Sequence, residues 1–87
     1  MAYRVELTSG AQRDLSPLPA GVLERVRDRF KDLSENPRLP GAKKLKGGSG
    51  YLRFRVGDYR IIYEVDDATR LVTITRVLHR RDAYRRL

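Results

Sequence analysis

The hydrophobic pattern of this chain predicts an α+β domain of order β-α-α-β-β-β, a helical hairpin packed on one face of an antiparallel-rich sheet. Three observations predict it. Residues 2–8 alternate apolar and polar side chains, and residues 20–35 repeat apolar ones at spacings of three and four. Three β-type runs follow, the first two joined by the two-residue turn signal Gly57-Asp58. At 87 residues the chain has length for one compact core, so residues 1–87 are read as one domain.

Each element has its own warrant. Tyr3, Val5 and Leu7 alternate with Arg4, Glu6 and Thr8, the period of a half-buried strand. Ser9 is expected to open a short helix, with Gln12 completing a capping box. Ser16-Pro17 and Leu18-Pro19 break that helix. From Ala20 to Glu35, Leu23, Val26, Phe30 and Leu33 form one apolar stripe, and Glu24, Arg25, Asp28, Arg29 and Asp32 cover the other face. Asn36-Pro37 and Pro40-Gly41 end the helix. Strands are expected at Tyr51–Val56, Tyr59–Val65 and Leu71–Leu78, with Asp66-Asp67-Ala68-Thr69 as the second turn and Gly47-Gly48-Ser49-Gly50 as a loop tip. In the first of these strands Leu52, Phe54 and Val56 share a face, opposite Tyr51, Arg53 and Arg55. In the second, either Ile61, Tyr63 and Val65 or Arg60, Ile62 and Glu64 meet the helices, and alternation leaves that choice open. In the third, Val72, Ile74 and Leu78 are expected to point to the core, and the other sheet face is expected to be open.

Charge is uneven. Residues 1–41 hold 7 basic and 6 acidic side chains, whereas residues 42–87 hold 12 basic and 5 acidic ones, for a formal net charge of +8 overall. Clustered Lys and Arg are the electrostatic footprint of a phosphate-rich partner. Other classes are excluded. No uncharged run is long enough for a membrane-spanning helix, and the start lacks the apolar stretch of a signal peptide, so a cytoplasmic location and no membrane partner are expected. With no Cys and one His, the chain has neither disulfides nor the ligands of a structural zinc site. The glycine run lacks the ending of a P-loop, Asp66-Asp67 reads as a turn, and a single imidazole cannot form a paired acid/base system. No cofactor is expected. The remaining chemistry is basic and aromatic: Lys43, Lys44 and Lys46, then Arg53, Arg55 and Arg60, then Arg76, His79, Arg80, Arg81, Tyr84, Arg85 and Arg86, with Tyr51 and Tyr59 between them. Aromatic rings beside Arg are the means by which single-stranded RNA is stacked and held.

Three segments carry a resemblance. Lys44-Leu45-Lys46-Gly47, the run from Tyr51 through Arg-Val-Gly-Asp-Tyr-Arg-Ile-Ile-Tyr to Val65, and the closing stretch Arg76–Arg85 with its His-Arg-Arg-x-x-Tyr-Arg pattern resemble the RelE/ParE superfamily of bacterial toxins. The likeness spans the whole chain, and the closing pattern resembles the RelE branch, whose members cleave mRNA in the ribosomal decoding site. The resemblance implies the toxin of a type II toxin-antitoxin system, a ribosome-dependent, metal-independent endoribonuclease that stops translation. It implies catalytic positions at Arg60, Arg80 and Tyr84, and at Arg53, which stands where the branch often has a catalytic Lys. Lys44, Lys46, Arg53, Arg55 and Arg81 would hold RNA phosphates. The Arg60 and Arg80 side chains are expected to be exposed. The implied partners are the ribosome, mRNA and a RelB-like antitoxin with an acidic helix. The alternative within the superfamily is a non-catalytic protein, either a ParE-like poison of DNA gyrase or a degenerate toxin that only binds its antitoxin.

Overall fold

A computed structural model describes residues 2–45 and 50–81. Its elements are β1 (Arg4–Leu7), α1 (Ser9–Leu15), α2 (Ala20–Glu35), β2 (Lys43–Lys44), β3 (Tyr51–Val56), β4 (Tyr59–Asp66) and β5 (Leu71–His79). They form two helices on a five-stranded mixed sheet of order β1-β5-β4-β3-β2. β1 runs parallel to β5, and the other neighbours are antiparallel. The short β2, which pairs Lys43 with Arg53 and Lys44 with Leu52, is an addition to the expected strands. Two residues are too few to show a period of two, so this strand exists only through its pairing with β3. Of the glycine loop tip, Gly47, Gly48 and Ser49 lie outside the described residues.

Burial settles which face of β4 meets the helices. Directly paired residues in a sheet share a face, and the registers align Phe54 with Ile61, Ile61 with Val77, and Tyr63 with Ile74. Ile61, Tyr63, Val72 and Ile74 are fully buried with Val26 and Leu33 of α2 and Ala11 of α1. Tyr63 packs its ring edge against Phe54 at 5.7 Å and donates its hydroxyl to the Pro37 carbonyl at 2.8 Å. A buried phenol therefore closes the core where α2 ends. On α2 the stripe includes Val22 at its first turn, half-buried against the core like Phe30.

One expected core position is corrected. The β4–β5 register shifts between Ile62 and Tyr63, which pair with Arg76 and Ile74, so Thr75 is an extra residue on β5. A bulge of this kind reverses the alternation beyond it. Val77 therefore takes the helix-facing place, and Leu78 lies on the opposite face beside Arg60. That opposite face is not uniformly open either, since Arg60 and Leu78 are each only 8% exposed. β4 is the middle strand, so Arg60 has Arg55 on one side and Leu78 on the other to cover its aliphatic stem.

Local polar contacts hold the ends together. Thr8, rather than Ser9, caps α1: its hydroxyl accepts the Ala11 N–H at 3.1 Å and donates to the Thr75 carbonyl at 2.8 Å. The second bond ties the cap to the bulge, an advantage that Ser9 lacks. Where β5 outruns β1, α1 covers its edge. Asp14 accepts two bonds from the Arg76 guanidinium, at 2.7 and 3.0 Å, and the Val77 N–H at 2.9 Å. One carboxylate thus replaces a missing strand neighbour. On α2, Arg29 pairs with Asp32 at 3.2 Å. At the far end Asp67 accepts a two-pronged pair from Arg38 and a bond from the Tyr3 hydroxyl. Asp66 accepts from the Ala68 and Thr69 N–H groups, so the acidic pair is built into a turn.

Two outcomes are expected. Asp14→Ala removes two charge-assisted bonds from the Arg76 guanidinium and the acceptor of the Val77 N–H, and should lower unfolding free energy by about 1–3 kcal/mol in urea titrations; a loss below about 0.5 kcal/mol would show that the clamp is dispensable. The second concerns pH. The Arg38 guanidinium, helped by the Tyr3 hydroxyl, holds the Asp67 carboxyl below its ordinary value of 3.8. The folded chain therefore binds that proton less readily than the unfolded chain. The contribution is complete above the ordinary carboxyl value and is lost as pH falls through the lower folded one. At the other extreme, the bond to Asp67 raises Tyr3 and burial raises Tyr63 above the ordinary phenol value of 10.0, so their contributions hold below that value and fade as pH rises through the folded ones. Urea midpoints followed from pH 6 to pH 2 should drop less steeply for Asp67→Asn than for the unaltered chain.

Candidate nucleic-acid interface

The site is built on the β3–β4 turn. Gly57 takes φ of +59°, which a two-residue hairpin of type II′ needs at its first central position and which a side chain resists. The turn joins Val56 to its partner Tyr59 and so sets Arg55 directly opposite Arg60. Paired Cβ atoms in such a ladder lie about 5 Å apart, close enough for the two charges to repel. Arg55 is exposed, whereas Arg60 is buried, a correction to its expected exposure. A guanidinium held by its neighbours is fixed in direction before any anion arrives.

The end of β5 completes the arrangement. The Arg80 N–H donates to the Asp58 carbonyl at 2.7 Å, which docks Arg80 against the hairpin turn. Arg55, Gly57, Asp58, Tyr59, Arg60 and Arg80 then line a narrow cleft of about 30 Å³. A wider cavity of about 470 Å³ opens beside it, lined by Asp58, His79, Arg80 and Arg81. The His79 ring stands edge-on to Tyr59, with centroids 5.2 Å apart, and its Nδ1 accepts the Arg81 N–H at 3.3 Å. A neutral ring in that bond carries its proton on Nε2. Three arginines thus share a cleft in which Asp58 is the one acidic lining residue among the described residues.

The other expected site residues divide. Arg53 pairs with Ile62 and shares the face of Arg55 and Arg60, two positions along the strand. Lys44 pairs with Leu52 and so lies on the helix-side face, away from that row. Arg81 is exposed at the end of the described chain. Lys46 and Tyr84 lie outside the described residues. Two residues join the site without having been assigned to it. Lys43 stands opposite Arg53 on the arginine face, and Asp58 supplies the carbonyl that anchors Arg80. Gly57-Asp58 signals a turn in the sequence, but the partner of its carbonyl is 22 positions away and leaves no local trace.

Comparison with known proteins defines the class. Residues 5–84 match the family described as the ParE toxin of the type II toxin-antitoxin system parDE, and the chain belongs to this RelE/ParE family of toxins. It is 41% identical to Toxin RelG of Mycobacterium tuberculosis over 87 residues, covering 99% of this chain and 100% of that protein. Its fold is similar to the toxin-antitoxin complex RelBE2 of the same organism, with TM-score 0.81 at 40% identity over 91% of this chain and 92% of that one. It is also similar to the archaeal RelE-RelB complex of Pyrococcus horikoshii, with TM-score 0.82 at 28% identity over 92% and 97% of the two chains.

A site that gathers like charge opposes its own folding. Arg55→Gln removes the cation facing Arg60 and should raise stability by roughly 0.2–1 kcal/mol at low ionic strength. The gain should shrink as salt screens the repulsion. Urea titrations at 20 mM and 500 mM salt measure this, and a destabilised variant at low salt would mean that Arg55 holds the fold rather than burdens it.

Proposed function

We propose that this toxin is a ribosome-dependent mRNA endoribonuclease of the cytoplasm. The observation that carries the reading is the convergence of Arg55, Arg60 and Arg80 on one cleft at the hairpin turn. In the reaction an RNA 2′-oxygen attacks the adjacent phosphorus. The bond to the 5′-oxygen breaks, leaving a 2′,3′-cyclic phosphate and a 5′-hydroxyl. The proton leaves the 2′-hydroxyl and one returns to the departing oxygen. The substrate carries its own nucleophile, so the protein mainly aligns it and stabilises charge, and no metal is required.

Arg60 and Arg80 face the phosphate oxygens as their charge grows. Arg53 binds a neighbouring phosphate, since a guanidinium does not give up its proton usefully. Tyr84 stacks on a base or relays a proton. Arg55, Lys44, Lys46 and Arg81 bind message or ribosomal RNA. So few acid/base groups suit an enzyme that relies on the ribosome to position its substrate. The solved relatives named as RelE with RelB support a RelB-like antitoxin as the partner, with an acidic helix that covers the arginine surface. The family description names ParE, which favours as a second reading a non-catalytic toxin that poisons DNA gyrase or acts only through antitoxin binding.

The test is cleavage in translating ribosomes, with message 5′ ends mapped by primer extension. The unaltered protein should cut, and Arg60→Gln and Arg80→Gln should each slow cutting by roughly 100-fold or more. Because Arg60 is buried, its variant must also be checked for folding by circular dichroism. Undiminished cleavage in both folded variants would remove these residues from the mechanism. A DNA-damage response without message cleavage would favour the second reading.

A further inference from the structure

A second groove, next to the arginine cleft, runs between α2 and the outer edge of β3. It encloses about 550 Å³ and is lined by Arg29 of α2, Leu39 and Pro40 of the following loop, Lys43 of β2, and Arg53 and Arg55 of β3. Among the described residues its lining side chains include four cations and no carboxylate. Arg55 lines both this groove and the cleft, so the two adjoin at that residue. Arg25, one helical turn before Arg29, places its guanidinium over the Gly57 turn, 3.5 Å from where a Cβ at that position would stand. The helix therefore supplies one cation beside Gly57 of the cleft and another to the groove. Asp32 pairs with Arg29 at 3.2 Å, but both side chains are about half exposed, and such a pair yields readily to a competing anion.

We propose that this groove is a second phosphate-binding track, which holds the single-stranded RNA next to the phosphate in the cleft through Arg25, Arg29 and Lys43; the inference rests on the RNA-cleaving reading above. A polyanion whose charges recur along one chain fits a row of cations that adjoins the cleft at Arg55. The helix cations also explain why the charged half of the site is not confined to the sheet. The rival occupant, an acidic protein segment, would meet the same cations, and the experiment separates the two.

The test measures binding of a fluorescent single-stranded 12-mer of 2′-O-methyl RNA, which lacks the attacking hydroxyl and reports binding without cleavage. The R25Q/R29Q protein should bind roughly tenfold or more weakly at 0.1 M salt. The slope of log affinity against log salt should fall by about 1.4, and Lys43→Gln should remove about 0.7 more. Gln keeps helix propensity, and unchanged thermal melting confirms that the fold is intact. An unchanged slope in the folded variants overturns the proposal, as does absence of salt-dependent binding by the unaltered chain. Weakened binding to a poly-glutamate peptide with unchanged RNA binding assigns the groove to a protein and overturns it as well. Cleavage in translating ribosomes is read separately. Slope losses without any cleavage would leave the groove standing while the cleavage reading falls, and cleavage with unaltered slopes would do the reverse.

Discussion

The register of β3 against β4 is the constraint on which the other features depend. The Gly57-Asp58 turn allows only two residues between the strands, and this brings Phe54 onto Ile61 in the core and Arg55 onto Arg60 on the opposite face. A slip of one residue would reverse both at once, because side chains alternate with a period of two. The core and the basic surface are therefore specified by one hairpin. The strong apolar preference of Phe54, Ile61 and Tyr63 for the helix side holds the arginines on the other.

That coupling explains how like charges are kept together. Arg55, Arg60 and Arg80 repel one another, and nothing in their own chemistry would assemble them. Arg60 is held by its place in the middle strand, and Arg80 by a backbone bond from its own N–H to the turn. The Arg80 bond is made by the backbone and leaves its side chain out of the docking. Backbone pairing and burial thus place the arginines together, and the apolar core beneath them carries the fold.

The open end of β5 is managed in a related way. β1 is too short to cover it, so α1 lies along the edge, and Asp14 takes the bonds that a strand would have taken. The bulge at Thr75 belongs to the same arrangement. It turns Val77 into the core and gives the Thr8 hydroxyl a carbonyl to bind, so cap, bulge and clamp form one continuous set of contacts. The geometry that delivers His79 and Arg80 to the hairpin turn starts at this set.

Local pattern alone determined the helix at Ala20–Glu35, the hairpin at Gly57-Asp58 and the basic character of the second half, because periodicity, turn chemistry and charge are properties of neighbouring residues. The resemblance of the Tyr51–Val65 and Arg76–Arg85 segments likewise lay in contiguous residues. Other features needed the tertiary structure. The two-residue β2 has no period to read, and the bulge that moves Leu78 off the helix face is a mismatch between two strands rather than a property of either. Alternation could not choose between the faces of β4, since Ile61 and Ile62 are equally apolar; packing against Val26 and Leu33 chose. Nor could it foresee a buried Arg60 or a groove shared by Arg29 and Arg55, because both arise where residues distant in the chain are brought within a few ångströms of one another.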